Sequence, residues 1–297
     1  MKIETKNIGS YDSKFVVCYS GGHSSAICAI NAVLRHGKEN VILLNHDISS
    51  KVEDVDIKRF KEKVADYLGV DITYANHKDF ESMTPIEVCK SIGGFKFGSS
   101  PILCTYNLKT KPFYEWIKAN DPEHLHTYLY GFDNTPDERV RMNRRIAAMG
   151  EIGCKTDYPL ITWGKLKVTD TMKQLGIEKP QRYSHYKHAN CDGCLKAGWQ
   201  HWYVTFCNRP DLWEAGKAAE EELKHSIHKD YYLEEKEELF INMRDQGIPD
   251  SEHIPSGKFW ATVRRLPENS LGLMSTWMDI DDMENEDVLV CGNGCTG

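Results

Sequence analysis

The stretch FVVCYSGGHSSAICAINAV, Phe15 to Val33, runs an apolar strand into a glycine pair and the glycine pair into an apolar helix. Lys14 to Tyr19 reads as a buried strand, and Ser24 to His36 as a helix ended by Gly37, a residue suited to the left-handed backbone of a helix C-terminus. A loop joining the carboxyl end of a buried strand to the first turn of a helix presents unpaired backbone N–H groups and the positive end of the helix dipole. That combination is an anion site, most often for phosphate. Gly21 and Gly22 let the backbone approach the anion, Ser20, Ser24 and Ser25 add hydroxyl donors, and His23 sits among them. The competing reading is a tight turn closed by a serine cap. The loop lacks the Gly-Lys-Ser/Thr of a Walker P-loop and the G-x-G-x-x-G of dinucleotide-binding folds.

Working outward, VILLNHD (Val41 to Asp47) is a second buried strand, followed by a charged amphipathic helix from about Glu53 to Leu68 and a short strand within DITYAN (Asp71 to Asn76). Strand, helix, strand, helix, strand at this spacing implies right-handed crossovers and a parallel sheet. The pattern continues with a helix near Asn107 to Ala119, a strand within Leu125 to Asp133 and a basic helix over Pro136 to Met149. DYPLITW (Asp157 to Trp163) reads as a short strand or extended segment, and a helix follows around Val168 to Leu175. The expected fold is α/β, a Rossmann-like, doubly wound and mostly parallel sheet. From Asn190 the character changes to CDGC, an aromatic-rich helix and charged helical stretches, and the tail from about Pro267 is acidic and poorly periodic up to VLVCGNGCTG. No internal repeat or low-complexity linker is present.

A chain of 297 residues with 40% hydrophobic content can bury one large core with a smaller appended region. The net charge of −7 argues against a protein that grips nucleic acid through its global field, although a local basic patch would suffice for contact. No run of about 18 uncharged apolar residues occurs, and the N-terminus is polar, so a soluble cytoplasmic protein without a membrane partner is expected. Ten cysteines in a chain too large to need disulfide staples point to metal binding or thiol chemistry.

Cys191 and Cys194 have the two-residue gap that lets two thiolates face one metal, as in zinc knuckles and iron–sulfur sites. A reduced pair without metal, or a redox dithiol, is the competing reading. Cys18 and Cys28 sit among apolar neighbours and read as core residues. Arg139, Arg141, Arg144 and Arg145 crowd one helix. Turned toward the sheet edge, Arg139 and a neighbour would fork onto phosphate or sulfate; Arg144 and Arg145 read as a solvated face near Asp133, Asp137 and Glu138. Lys109 is a further anion contact. Trp199, His201, Trp202 and Tyr203 read as packing around the metal site rather than as a base-stacking platform.

Ser-Gly-Gly-x-x-Ser directly after the first strand resembles the PP-loop of the adenine nucleotide α-hydrolase superfamily, which includes N-type ATP pyrophosphatases and phosphoadenylylsulfate (PAPS) reductases. Later segments resemble the PAPS-reductase branch in order, from Phe15 to about Glu222. CTYNLKTKP (Cys104 to Pro112) is similar to its cysteine and Leu-Lys-x-x-Pro segment, and GFDNTPDERVRMNRR (Gly131 to Arg145) to its glycine-ended strand followed by an arginine-bearing helix. YPLITWGKLKVTDTMKQLGIEKPQRY (Tyr158 to Tyr183) resembles its Pro-Leu, Trp, helix, Gly-Ile, Pro, Tyr succession, and NCDGCLKAG (Asn190 to Gly198) its knuckle. The chain departs from the pattern where relatives often carry Asp and it has Ser24, and where their Asp-Thr-Gly is replaced by NHDISS, which keeps Asp47.

The resemblance implies a PP-loop nucleotide-binding domain over residues 1–185 and a knuckle, helical region and flexible tail over 186–297. Ser20, Gly21, Gly22, His23, Ser24, Ser25, Lys109, Gly131 and Arg139 would hold the phosphates or sulfate of ATP, PAPS or adenylyl sulfate (APS), with Ser24 and Arg139 at the reacting centre. Asp47 would bind ribose, adenine or Mg²⁺. Cys104 would join Cys191 and Cys194 around a [4Fe-4S] cluster, with zinc the second choice. Cys207 is the preferred fourth ligand because it follows the knuckle within one helix, ahead of Cys89, Cys154 and His188. The leading expectation is ATP α–β cleavage coupled to sulfur transfer, as in DndC-like relatives that modify nucleic acid, which implies a sulfur donor and a nucleic acid acceptor. The alternatives are a PAPS reductase, with Cys291 or Cys295 as tail nucleophile and a thioredoxin-like reductant, and a nucleotide-binding sensor or complex subunit. The tail lacks the family's Glu-Cys-Gly-x-His ending. A homo-oligomer is compatible with each.

Overall fold

Five short strands form one all-parallel sheet: β1 (Phe15–Cys18), β2 (Val41–Asn45), β3 (Ile72–Tyr74), β4 (Thr127–Leu129) and β5 (Lys155–Asp157). Their order is β3-β2-β1-β4-β5, the order of a Rossmann-like sheet. The computed structural model describes residues 13–98, 101–266 and 280–284. The strands are short because only the central segment of each apolar run pairs on the ladder. Val16 and Val17 in β1 are fully buried on opposite faces, which explains why that strand has no polar alternation.

The helices cover both faces. α1 (His23–His36), α2 (Val55–Leu68) and α7 (Lys165–Gln174) lie on the face of Val17, Leu43 and Leu129. α5 (Lys111–Asn120) and α6 (Pro136–Glu151) cover the other, where Phe113, Ile117 and Met149 meet Val16, Leu44 and Tyr128. Local chemistry sets the boundaries. The Asp54 side chain accepts the Asp56 N–H at 2.7 Å to open α2, and Gly69 closes it with φ +61°.

A third apolar core lies beyond the sheet. It joins α3 (Pro85–Ile92) and α4 (Leu103–Thr105) to the late helices α8 (Trp199–Asn208), α9 (Pro210–Leu223), α10 (Glu237–Asp245) and α11 (Ser256–Val263). Trp199, Trp202, Trp213, Phe240, Phe259 and Trp260 are all essentially fully buried there. Helix α3 is absent from the sequence reading although Thr84-Pro85-Ile86-Glu87 spells its capping box, with Thr84 Oγ1 accepting the Glu87 N–H and Glu87 accepting that of Thr84. α4 passes through a π-helical turn (Tyr106–Thr110) into α5.

DYPLITW is not an extended segment. The last strand ends at Asp157, and Tyr158 to Trp163 fold into turns, because Pro159 has no N–H to give a ladder. Among the described residues no helix is long and apolar enough to cross a membrane.

Candidate functional site

The chain reverses its direction of sheet growth at β1, with β2 on one side and β4 on the other. The carboxyl ends of β1 and β4 therefore flank a crevice, the usual ligand position in such sheets. A cavity of about 610 Å³ opens there, within the range of small-molecule sites.

The loop after β1 forms its floor. Gly22 opens α1 in an extended conformation with no side-chain cap, and the first backbone bond of the helix is Ala26 N–H to the Gly22 carbonyl, 3.1 Å. Two of the loop serines are engaged locally. Ser25 Oγ donates to the Gly22 carbonyl at 2.8 Å, and Ser20 Oγ lies 3.4 Å from Ser25 Oγ. Gly21 has φ +82°, and a Cβ there would stand 2.7 Å from the Lys61 side chain. Gly131, at the end of β4, crosses even closer. A Cβ on it would lie 2.6 Å from the Ser24 carbonyl oxygen and 2.8 Å from the Ser25 nitrogen, backbone atoms that cannot move aside.

A buried polar knot supports the loop from below. Lys61 Nζ donates to both Glu53 oxygens at 3.1 and 3.0 Å and to Asn45 Oδ1 at 3.2 Å, while the Asn45 amide donates to the Tyr19 carbonyl. The Tyr19 hydroxyl in turn donates to the Lys61 carbonyl at 3.0 Å. The knot ties the end of β1, the end of β2 and α2 into one unit, with its lysine 1% exposed.

The cleft walls carry four cations, Lys109, Arg141, Lys179 and Lys187, and four carboxylates, Glu53, Asp133, Asp137 and Glu138. His23 and His46 line it as neutral imidazoles. Burial, then the Lys179 charge, pushes His23 down to about 4. Burial does the same to His46, aided by the Lys109 and Lys61 charges and opposed by its Nδ1–H bond to the Ala75 carbonyl at 2.5 Å. His23 Nε2 is buried with no hydrogen-bond partner among the described residues. Tyr130 and Phe132 make an aromatic wall and stack nearly parallel with each other and with Tyr158, centroids 5.5 to 5.9 Å apart, and Arg141 lies 4.9 Å over Phe132.

Compared with known proteins, the chain matches no family model, no curated protein and no solved structure.

The structure brings Ser20, Gly22, His23, Ser24, Ser25, Lys109 and Gly131 to this cleft, with Gly21 beneath it in the same loop. It does not bring Asp47 or Arg139 to the lining. Asp47 pairs with Lys58 at 2.6 Å, and its N–H donates to Asn76. Arg139 is exposed and donates to Asn134 Oδ1 at 2.7 Å. Arg141 takes the inward place instead, held by Glu138, since two residues along a helix rotate a side chain by about 200°. Lys179, Lys187, His46 and His253 also line the cleft and were not singled out. The one available signal was the run YKHANCDGC, which sets cationic side chains directly before the knuckle.

The cysteines gather beside the same cleft. Cys104 is hydrogen-bonded to Cys89, and its thiol is pushed well up by that bond, by burial and by the nearby Cys194 and Cys191. The same bond holds Cys89 below its usual range. Cys207 does not belong to this group. Its thiol is raised by burial and lies against the Tyr203 hydroxyl, near Asp250 and Arg244, because the turn of α8 carries it away from the knuckle. Cys89 on α3, rather than Cys207, is the cysteine bonded to Cys104.

The knuckle is firmly seated. Gly193 between the two cysteines has φ +60°. Asp192 is bound by Arg182 and, at 2.6 Å, by Arg209, and its N–H donates to the Val52 carbonyl at 2.8 Å. The Cys194 N–H donates to His201 Nε2 at 3.1 Å, and His201 Nδ1 bonds Glu252. Cys191 also faces the cleft. Cys291 and Cys295 lie outside the described residues.

Proposed function

We propose that the cleft binds an adenine nucleotide through its phosphates and that the chain is a PP-loop enzyme of the PAPS-reductase type, splitting ATP between its α- and β-phosphates. One observation carries the reading. An uncapped helix start and His23 line a single cleft at the sheet's switch point, together with Lys109, Lys179 and Lys187. Backbone N–H groups at the start of α1 would bind the α- and β-phosphates, the lysines would neutralise the departing pyrophosphate, and the stacked Tyr130 and Phe132 offer an apolar wall for the base. An acceptor oxygen or sulfur attacks the α-phosphorus, the bond to the bridging oxygen breaks, and its electron pair leaves with pyrophosphate. Where relatives carry a carboxylate Ser24 offers a hydroxyl, so Asp133 and Asp137 are the carboxylates in the cleft suited to Mg²⁺.

Cys89, Cys104, Cys191 and Cys194 would be the sulfur donors of a [4Fe-4S] cluster first and zinc second, since Cys104 bonds Cys89 and lies within electrostatic reach of Cys191 and Cys194. Bound there, a cluster supplies a site for sulfur transfer or electron transfer next to Cys191 at the cleft edge. The reading implies a sulfur donor and an acceptor, with nucleic acid as the acceptor class.

Incubation with ATP and Mg²⁺, and separately with PAPS and a dithiol reductant, tests it. With water as the acceptor, AMP and pyrophosphate are the expected products of ATP. Sulfite from PAPS would replace ATP cleavage with the reductase reading, and tight binding of ATP without turnover would replace the enzyme with a sensor. Absence of binding of either nucleotide up to about 1 mM overturns the proposal.

A further inference from the structure

At the opposite end of the sheet from the cleft, the loops that enter β4 and β5 bring together Asp121, His124 and Cys154. Their ligand atoms all lie within 4.8 Å of one another. Asp121 follows α5, His124 precedes β4, and Cys154 immediately precedes β5. Cys154 Sγ lies 3.1 Å from His124 Nδ1. Asp121 is 3% exposed and Cys154 7%.

From this juxtaposition we infer a zinc site, with Cys154 Sγ, His124 Nδ1 and an Asp121 carboxylate oxygen as ligands and water in the fourth position. The donor types select the metal. A thiolate with an imidazole is poor company for Mg²⁺ or Ca²⁺ and well matched to Zn²⁺. The spacing agrees. Sulfur and nitrogen bound tetrahedrally to one zinc at about 2.3 and about 2.0 Å stand about 3.5 Å apart. Without metal, the Cys154 thiol and His124 Nδ1 share a hydrogen bond, and with the ring proton on Nε2 the Nδ1 lone pair would face the metal.

The carboxylate is held in place by the Leu125 N–H at 2.7 Å, the Tyr128 hydroxyl at 3.0 Å and the His126 N–H, shared between both oxygens at 3.3 Å. These donors fix the group's orientation, and the long, shared His126 N–H bond is the contact a metal would displace. The neighbouring His126 is not a ligand, because its Nδ1 accepts the Lys14 N–H at 3.3 Å. Burial pushes the Cys154 thiol up to about 11, with the Asp121 charge adding to it, so zinc must displace the thiol proton, which passes to solvent. The site would staple the entries of β4 and β5, and it is independent of what the cleft binds.

The test is residue-resolved alkylation of the whole chain, read by peptide mass spectrometry with and without micromolar zinc, so that Cys154 is scored apart from Cys191 and Cys194. Zinc should slow alkylation of Cys154 about tenfold or more, and His124→Asn and Asp121→Asn should abolish that protection while leaving the knuckle's response unchanged. Asn is chosen at 124 because the residue has φ +54°, which Asn tolerates. Unchanged Cys154 reactivity with zinc, or protection that survives both variants, overturns the inference. Should the variants misfold by circular dichroism, anomalous scattering from zinc-grown crystals of the unaltered chain decides: a peak between the three side chains supports the site, and its absence refutes it.

Discussion

The glycine loop after β1 and the cysteine group beside it meet at one cleft, through Cys191, but are built in opposite ways. The loop is made of backbone. Its glycines and helix start are contiguous in the chain, and Gly131, a distant partner, contributes the absence of a side chain. The cysteine group is made of side chains from α3, α4 and the knuckle, which meet only because a third core folds around them. A site made of backbone is tied to local sequence, whereas a site made of side chains exists only when tertiary packing does.

The sharpest way to break the contrast is Lys61→Met. It leaves Glu53 buried with only Lys58, 3.7 Å away, as counter-charge. The expected cost is about 3–5 kcal/mol in urea unfolding, and adding Glu53→Met should recover most of it. A cost below about 1 kcal/mol would show that the loop needs no buried knot and stands on its backbone alone. Next is Gly131→Ala, which drives a methyl group into the Ser24 carbonyl. Destabilisation of about 1–3 kcal/mol is expected, with nucleotide affinity down about tenfold by calorimetry, while iron or zinc content stays unchanged.

The converse pair addresses the other region. Cys89→Ser should lower bound iron or zinc about tenfold or more, whereas Cys207→Ser should leave it intact. Equal loss from both would return Cys207 to the ligand set. The smallest effect is on pH. His23 and His46 have folded values near 4, below the ordinary value of 6.5. Stability is therefore full above about pH 6.5 and falls as acid protonates the unfolded chain first, losing about 1–2 kcal/mol per imidazole by pH 4. A phosphate beside His23 would favour its charged form, so saturating nucleotide should flatten that acid limb. An unchanged limb would separate His23 from the anion.

The same contrast explains what the sequence disclosed. The β1–loop–α1 unit was legible because apolar run, glycines and serines are adjacent, and the alternation behind it disclosed a parallel sheet. The family resemblance points to Arg139 rather than Arg141, and nothing in a one-dimensional run of arginines states which face of α6 turns inward. Cys207 was preferred to Cys89 on nearness along the chain, yet α8 points its thiol at Tyr203. Helix α3 is marked by Thr84 and Glu87, and only with that helix in place does Cys89, one of the alternatives to Cys207, come beside Cys104.

The third core also has a consequence for how the molecule is made. Ile48, Val52, Ile86, Val88, Leu103 and Leu108 are buried in the same cluster as Trp199, Trp202 and Trp260. On the ribosome the early residues emerge long before their cover. At about 5–20 residues per second that apolar strip waits several seconds or more for α8 to α11. During that interval the strip is a target for chaperones, and the cysteine pocket cannot close until α8 to α11 have been made.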